Sequence, residues 1–216
     1  MSTAELIIFD CDGVLVDSER ITNRVFCAML NDLGVPVTLN DMFERFVGLS
    51  MPQCIALITD MRGEPPPGTF VDELRRRSAA ALREQIMPIP GIEALLNRLT
   101  VPYCVASSGD HDKIRLTLGA TGLLKRFEGR IFSVVDVAKP KPAPDVFLFA
   151  ARRLGVPPSA CAVIEDTPTG VRAAVAAGMQ AYGFAANTPA HRLTEAGAHY
   201  IFTDMQQLPG LLSAAG

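Results

Sequence analysis

The sequence predicts an α/β fold, a doubly wound parallel sheet with an all-helical segment inserted after its first strand, and three observations carry that expectation. From Pro88 onward, short apolar runs of strand character alternate with stretches of helical periodicity, the pattern of a parallel sheet covered by helices on both faces. Residues 17–88 show no comparable strand signal and read as helices. Ahead of them, Leu6-Ile7-Ile8-Phe9 is a continuous apolar run suited to a buried strand.

After that first strand, Ile21, Val25, Met29 and Leu33 recur at helical spacing before Gly34; Phe43 and Val47 follow, and Phe70, Leu74 and Leu82 mark a further amphipathic stretch. Three consecutive prolines make Glu64 to Gly68 a loop. Later strands are expected at Tyr103 to Ala106, Arg130 to Ser133, Cys161 to Ile164, Gln180 to Phe184 and Tyr200 to Phe202. Helices are expected at Ile92 to Leu99, Asp112 to Leu118, Asp145 to Leu154, Thr169 to Ala177 and Ala190 to Ala196, with Gly155 and Gly178 as C-terminal caps. The division is therefore 1–16 with 89–216 as a Rossmann-like core and 17–88 as a helical insertion. Val16 to Glu19 and Met87 to Gly91 form the hinge, and Pro88 and Pro90 stiffen its second half.

A chain of 216 residues is long enough to bury a proper core, and its net charge of −3 leaves no basic footprint for nucleic acid. The opening segment carries an acid rather than a basic region, and its apolar run is too short for a signal peptide or a membrane span, so a cytosolic location is expected. The five cysteines, Cys11, Cys27, Cys54, Cys104 and Cys161, are odd in number and widely spaced, without a CxxC pair. They indicate neither a disulfide framework nor a structural zinc site. His111, His191 and His199 lack metal-ligand spacing and read as surface or satisfied residues.

Chemistry concentrates in FDCDGVLVDSE, Phe9 to Glu19, where Asp10 and Asp12 follow directly on the first strand. A strand delivers its last residues to the sheet rim where ligands bind in open α/β folds, and Gly13 lets the chain turn there. Two carboxylates on one side repel each other unless a cation sits between them or one is protonated. Cys11, between them, has no neighbouring base in sequence that would make it a thiolate.

This run resembles the first motif of the haloacid dehalogenase superfamily, in the branch of β-phosphoglucomutase, phosphoglycolate phosphatase and sugar-phosphate phosphatases. Val105 to Gly109 (VASSG) resembles the second motif, Lys141 in KPAPD the third, and Glu165-Asp166 in VIEDTPTG the fourth, in the family's order. The resemblance implies a helical cap domain at 17–88 and a Mg²⁺-dependent phosphomonoester hydrolase, a monomer acting on a small phosphorylated metabolite without nucleic acid or membrane. It makes Asp10 the nucleophile that becomes an aspartyl-phosphate, Asp12 the general acid and base, and Lys141 the charge bridging Asp10 and phosphate, in preference to Lys139. Ser107 and Ser108 bind phosphate, while Asp10, Asp12, Asp166 and Glu165 are the candidate metal ligands.

Substrate choice is expected from Arg20, Arg45, the Gly48-Leu49-Ser50 turn and Arg75 to Arg77, with Arg76 foremost. The first half of the chain and Pro102 to Gly109 resemble phosphatases of the 6-phosphogluconate type, which points to a sugar or sugar-acid phosphate. A dehalogenase is disfavoured because those relatives lack a counterpart of Asp12. A β-phosphoglucomutase-like mutase is the enzyme alternative, although its cap histidine and arginine align here with Thr22 and Met51. A non-catalytic phosphate-ligand-binding regulatory protein is the alternative from another class.

Overall fold

The computed structural model describes residues 4–46 and 49–214, in two compact units. One unit comprises the residues through Asp17 and those from Met87 on; the other is Ser18–Ile86. The first holds a six-stranded sheet in the order β3-β2-β1-β4-β5-β6, with every neighbouring pair parallel. Its strands are β1 (Leu6–Phe9), β2 (Tyr103–Ser107), β3 (Ile131–Ser133), β4 (Cys161–Glu165), β5 (Gln180–Phe184) and β6 (Tyr200–Phe202). β2 and β4 each run one residue further than the sequence indicates, so Ser107 and Glu165 end their strands. β1 is buried along its whole length, which explains why its run is apolar without alternation.

The chain moves outward from β1 to β3 on one side and from β4 to β6 on the other. The switch of direction lies between β1 and β4, where open α/β sheets bind ligands beyond the carboxyl ends of their strands. Helices Asp145–Leu154 and Pro168–Ala176 place Val146, Phe147, Ala150, Val171, Ala173 and Ala174 in one core with Ile8, Cys104 and Val163 of the sheet. The segments leaving and re-entering this unit are paired: Asp17 N donates to Met87 O at 3.0 Å, Ile89 N donates to Leu15 O at 3.0 Å, and Val16 bridges Pro88.

The helical unit has its own apolar core of Phe26, Met29, Leu30, Val35, Val37, Met42, Phe46, Cys54, Ile58, Phe70 and Leu74. Helix Glu19–Asp32 packs along helix Phe70–Gln85, and helix Met51–Arg62 follows a π-helical turn at Met42–Phe46. Phe43, expected on the apolar face, is instead exposed, because that turn directs Met42 and Phe46 inward. Val47 and Gly48, named from the sequence, lie outside the described residues. Among the described residues, no helix is long and apolar enough to cross a membrane.

Candidate active site

The predicted residues of the core unit collect at the carboxyl ends of β1, β2 and β4, the three central strands. Asp10 extends β1 by one rung, its N–H donating to Ile164 O at 2.9 Å. The chain then folds back: Gly13 N reaches Val16 O at 2.8 Å, and Leu15 N and Val16 N reach Cys11 O at 2.9 and 3.1 Å. Gly13 has φ +83°, and a Cβ there would overlap the carboxylate of Asp166. Glycine thus serves twice, taking a left-handed turn and letting the Asp166 carboxylate lie against the loop that carries Asp10 and Asp12.

Lys141 is the hub. Its Nζ donates to Asp10 Oδ1 at 2.6 Å, Glu165 Oε1 at 2.7 Å and Ala106 O at 3.1 Å, and it lies 4.7 Å from the centre of the Phe147 ring. Burial alone would lower the lysine pKa, but the charges of Asp10 and Glu165 outweigh it and hold Lys141 protonated, above its ordinary range. Asp10 is raised to about 7, chiefly by burial, with Lys141 opposing and Glu165 and Asp12 adding repulsion. Lys139, set aside on the sequence, is exposed.

Glu165 requires a correction. Expected beside the metal, it has one oxygen on Lys141, while the other accepts from Thr167 N at 3.1 Å and Thr167 Oγ1 at 2.9 Å. Gly170 leaves the space its carboxylate fills. Glu165 therefore holds Lys141.

Ser107 is buried at the end of β2 and its Oγ accepts from Gly109 N at 3.0 Å, which leaves the hydroxyl proton to donate elsewhere. Ser108 is exposed beside it. Cys11 is buried with its Sγ 3.7 Å from Thr117 Oγ1, and burial followed by the charges of Asp12 and Asp10 pushes its thiol far up, the opposite of an activated nucleophile. Lys113, which carries no motif in the sequence, donates through Nζ to Asp12 Oδ2 at 2.7 Å. His111 Nε2 lies 2.8 Å from Asp136 Oδ1, and His199 Nδ1 accepts from Ala181 N at 3.0 Å.

The candidate specificity residues lie in the helical unit. Arg20 and Arg45 are exposed. Arg76, by contrast, is committed to Glu73 through Nε at 2.7 Å and Nη2 at 2.8 Å, which makes it part of a solvated helix face. Ser50 caps helix Met51–Arg62, its N and Oγ both donating to Gln53 Oε1 at 2.8 Å, so its role there is structural.

Among the described residues no three His, Cys, Asp or Glu side chains form a ready metal cluster. The donors do fit a hard cation that keeps several waters: the Asp166 carboxylate is seated in the notch left by Gly13, against the loop bearing Asp10 and the Asp12 carbonyl.

A family model for haloacid dehalogenase-like hydrolases matches residues 4–178. The chain is 31% identical over 217 residues to 6-phosphogluconate phosphatase of Escherichia coli K12, covering 100% of this chain and 98% of that one. It is 30% identical over 199 residues to β-phosphoglucomutase of Bacillus subtilis, covering 85% and 84%. A hydrolase of the same family from Deinococcus radiodurans, solved with bound phosphate and sodium, superposes with a TM-score of 0.87 at 31% identity, covering 100% and 98%. The chain belongs to the haloacid dehalogenase-like hydrolases.

Proposed function

We propose that this haloacid dehalogenase-like phosphatase is a Mg²⁺-dependent phosphomonoester hydrolase of a small sugar or sugar-acid phosphate, working through an aspartyl-phosphate on Asp10. The Lys141 bridge carries the reading: a buried ammonium bound to the carboxylate that would attack, and itself held by Glu165, is a fixed positive charge at the place where phosphoryl oxygens must be neutralised. An Asp10 oxygen attacks phosphorus as the bond to the leaving oxygen breaks, and Asp12 gives its proton to that oxygen. Asp12 then takes a proton from water, which attacks phosphorus, breaks its bond to Asp10 and releases inorganic phosphate. Ser107 donates its hydroxyl proton to a phosphate oxygen, helped by the backbone of Ser108. The carboxylates of Asp10 and Asp166 and the Asp12 carbonyl would hold Mg²⁺, which when bound would supply charge neutralisation to the phosphoryl group.

The 6-phosphogluconate phosphatase relative supports a sugar-acid phosphate, and the Deinococcus radiodurans relative, solved with bound phosphate, supports a phosphate ligand for this fold. We read Ser18–Ile86 as the cap that sets specificity, with Arg20 and Arg45 as its candidate contacts, and the paired linkers as its hinge. Five free thiols suit a reducing cytoplasm. Hydrolysis is favoured over phosphoryl transfer between sugar hydroxyls because Thr22, at the mutase histidine position, turns its hydroxyl to Ser18 O and Glu19 O of its own helix, both at 3.1 Å.

The test is phosphate release from 6-phosphogluconate, a panel of sugar phosphates, and β-glucose 1-phosphate with catalytic glucose 1,6-bisphosphate, with Mg²⁺ titrated. Release should require the metal, and Asp10→Asn should retain well under a tenth of it, since a tenfold loss is only about 1.4 kcal/mol of barrier. Asp166→Ala should raise the Mg²⁺ needed for half-activity. Isomerisation with little free phosphate would install the mutase instead; tight binding of a phosphate ester without turnover would install a binding protein.

A further inference from the structure

Lys113 lies outside all four sequence motifs, yet it holds the carboxylate of Asp12 across 101 residues of chain. Its backbone is fixed first. Asp110 caps helix His111–Ala120 by accepting from Lys113 N at 2.8 Å, and Ser133 Oγ donates to Gly109 O at 2.6 Å, tying the preceding loop to the end of β3. The lysine stem then passes Gly109, where a Cβ would stand 3.3 Å from Lys113 Cδ and 3.5 Å from Ser107 Oγ, so glycine there leaves the stem its room. One turn later on the same helix face, Thr117 meets Cys11. Two successive turns of one helix therefore grip two successive residues of the loop beyond β1.

This grip has little to do with stability. The Lys113 and Asp12 side chains are 38% and 23% exposed, and half-solvated ion pairs of this kind add little to folding. Orientation is another matter, because a general acid works only when its proton is aimed at the leaving oxygen, and a misplacement of about 1 Å can reduce turnover on the order of a hundredfold.

We propose that Lys113 is a positioning residue for the general acid: by binding Asp12 Oδ2 from the rigid start of helix His111–Ala120, it aims the Asp12 carboxyl at the leaving-group oxygen. The inference rests on the phosphatase reading above, with Asp12 as the proton donor. Its consequence depends on the leaving group. A sugar alkoxide must be protonated as it departs, whereas p-nitrophenolate leaves without help.

The experiment compares Lys113→Met and Lys113→Gln with the wild-type enzyme on p-nitrophenyl phosphate and on whichever of 6-phosphogluconate or fructose 1-phosphate the wild-type enzyme turns over faster. Since kcat/KM reports steps through departure of the leaving group, it should fall on the order of tenfold to a hundredfold for the sugar ester and less than about threefold for the aryl ester. On the aryl ester kcat should still fall, because Asp12 must also activate water, and a burst of p-nitrophenol should appear. In an Asp12→Asn background, Lys113→Met should add nothing on the sugar ester. Equal losses of kcat/KM on both esters, no loss on either, or additive losses in the double variant would each overturn the proposal while leaving the phosphatase reading intact. Failure of the wild-type enzyme to release phosphate from either ester would overturn both.

Discussion

Each unit of the molecule contains a charge held between two opposite charges, and the two triads are inverted in sign and in surroundings. In the core unit Lys141 sits between Asp10 and Glu165, with side chains 3%, 9% and 1% exposed. In the helical unit Glu73 sits between Arg76 and Arg77, each at 2.7 Å, with side chains 32%, 70% and 43% exposed. Water already solvates the Glu73 triad. The hydrogen bonds from Arg76 and Arg77 hold the Glu73 carboxyl down at about 2, but such surface pairs seldom register in stability. The Lys141 triad has given up its water, and desolvation of that size can exceed the attraction gained. A protein built for stability alone would fill that volume with apolar side chains. The core triad is therefore costly to keep for stability alone, whereas the exposed triad is an ordinary feature of a helix surface.

Breaking the core triad should have the largest effect. Lys141→Met strands two buried carboxylates, and removing one member of a buried pair costs about 3–5 kcal/mol. Melting followed by circular dichroism at pH 8 should fall by roughly 10 °C, at about 2–4 °C per kcal/mol for a chain of this size. The deficit should shrink toward pH 5 as the stranded carboxylates take up protons, and adding Glu165→Gln should recover part of it. A melt at pH 8 within a degree or two of wild type would mean that the three groups do not depend on one another.

A smaller effect, opposite in sign, is expected for Asp10→Asn without metal. The folded-state pKa of Asp10 is raised from 3.8 to about 7, so between those values the native state binds a proton that the unfolded chain has released. Stability associated with this group is fully present below pH 3.8 and is lost as pH rises through about 7. Asparagine does not ionise, so the variant should melt several degrees above wild type at pH 8 in EDTA and coincide with it near pH 4. A variant less stable than wild type at pH 8 would reverse the assigned direction. Smallest of all, Glu73→Gln should leave the melting temperature within about a degree, and a drop of several degrees would make the exposed triad a structural element after all.

Strand positions were legible because β1 and β4 are apolar runs of the right length with turn residues after them, and the candidate site was legible because Asp10, Ser107 and Asp166 fall at or just beyond strand ends, while Lys141 lies in the KPAPD run ahead of helix Asp145–Leu154. Glu165, named from the sequence as a metal candidate, instead engages Lys141 and Thr167, partners that its place beside Asp166 in the sequence does not reveal. Lys113 was not legible at all. Its partner is remote in sequence, and a lysine in the first turn of an amphipathic helix looks like any solvated lysine. Phe43 was misplaced because a π-helical turn shifts the inward face away from the spacing of an ordinary helix.

The central place of β1 also sets the schedule on which the chain can fold. Ile7 pairs with Tyr103 and with Ala162, both beyond the whole helical unit, so the earliest made of these six strands must wait for both of its neighbours. Among the described residues, the main apolar core of the helical unit is drawn from Phe26 to Leu74, all made before β2. Local contacts form faster than remote ones, and until β2 and β4 emerge, Leu6-Ile7-Ile8-Phe9 is an unpaired apolar edge. The strand that leads into Asp10 is thus also an apolar segment that stays unpaired until much later parts of the chain exist.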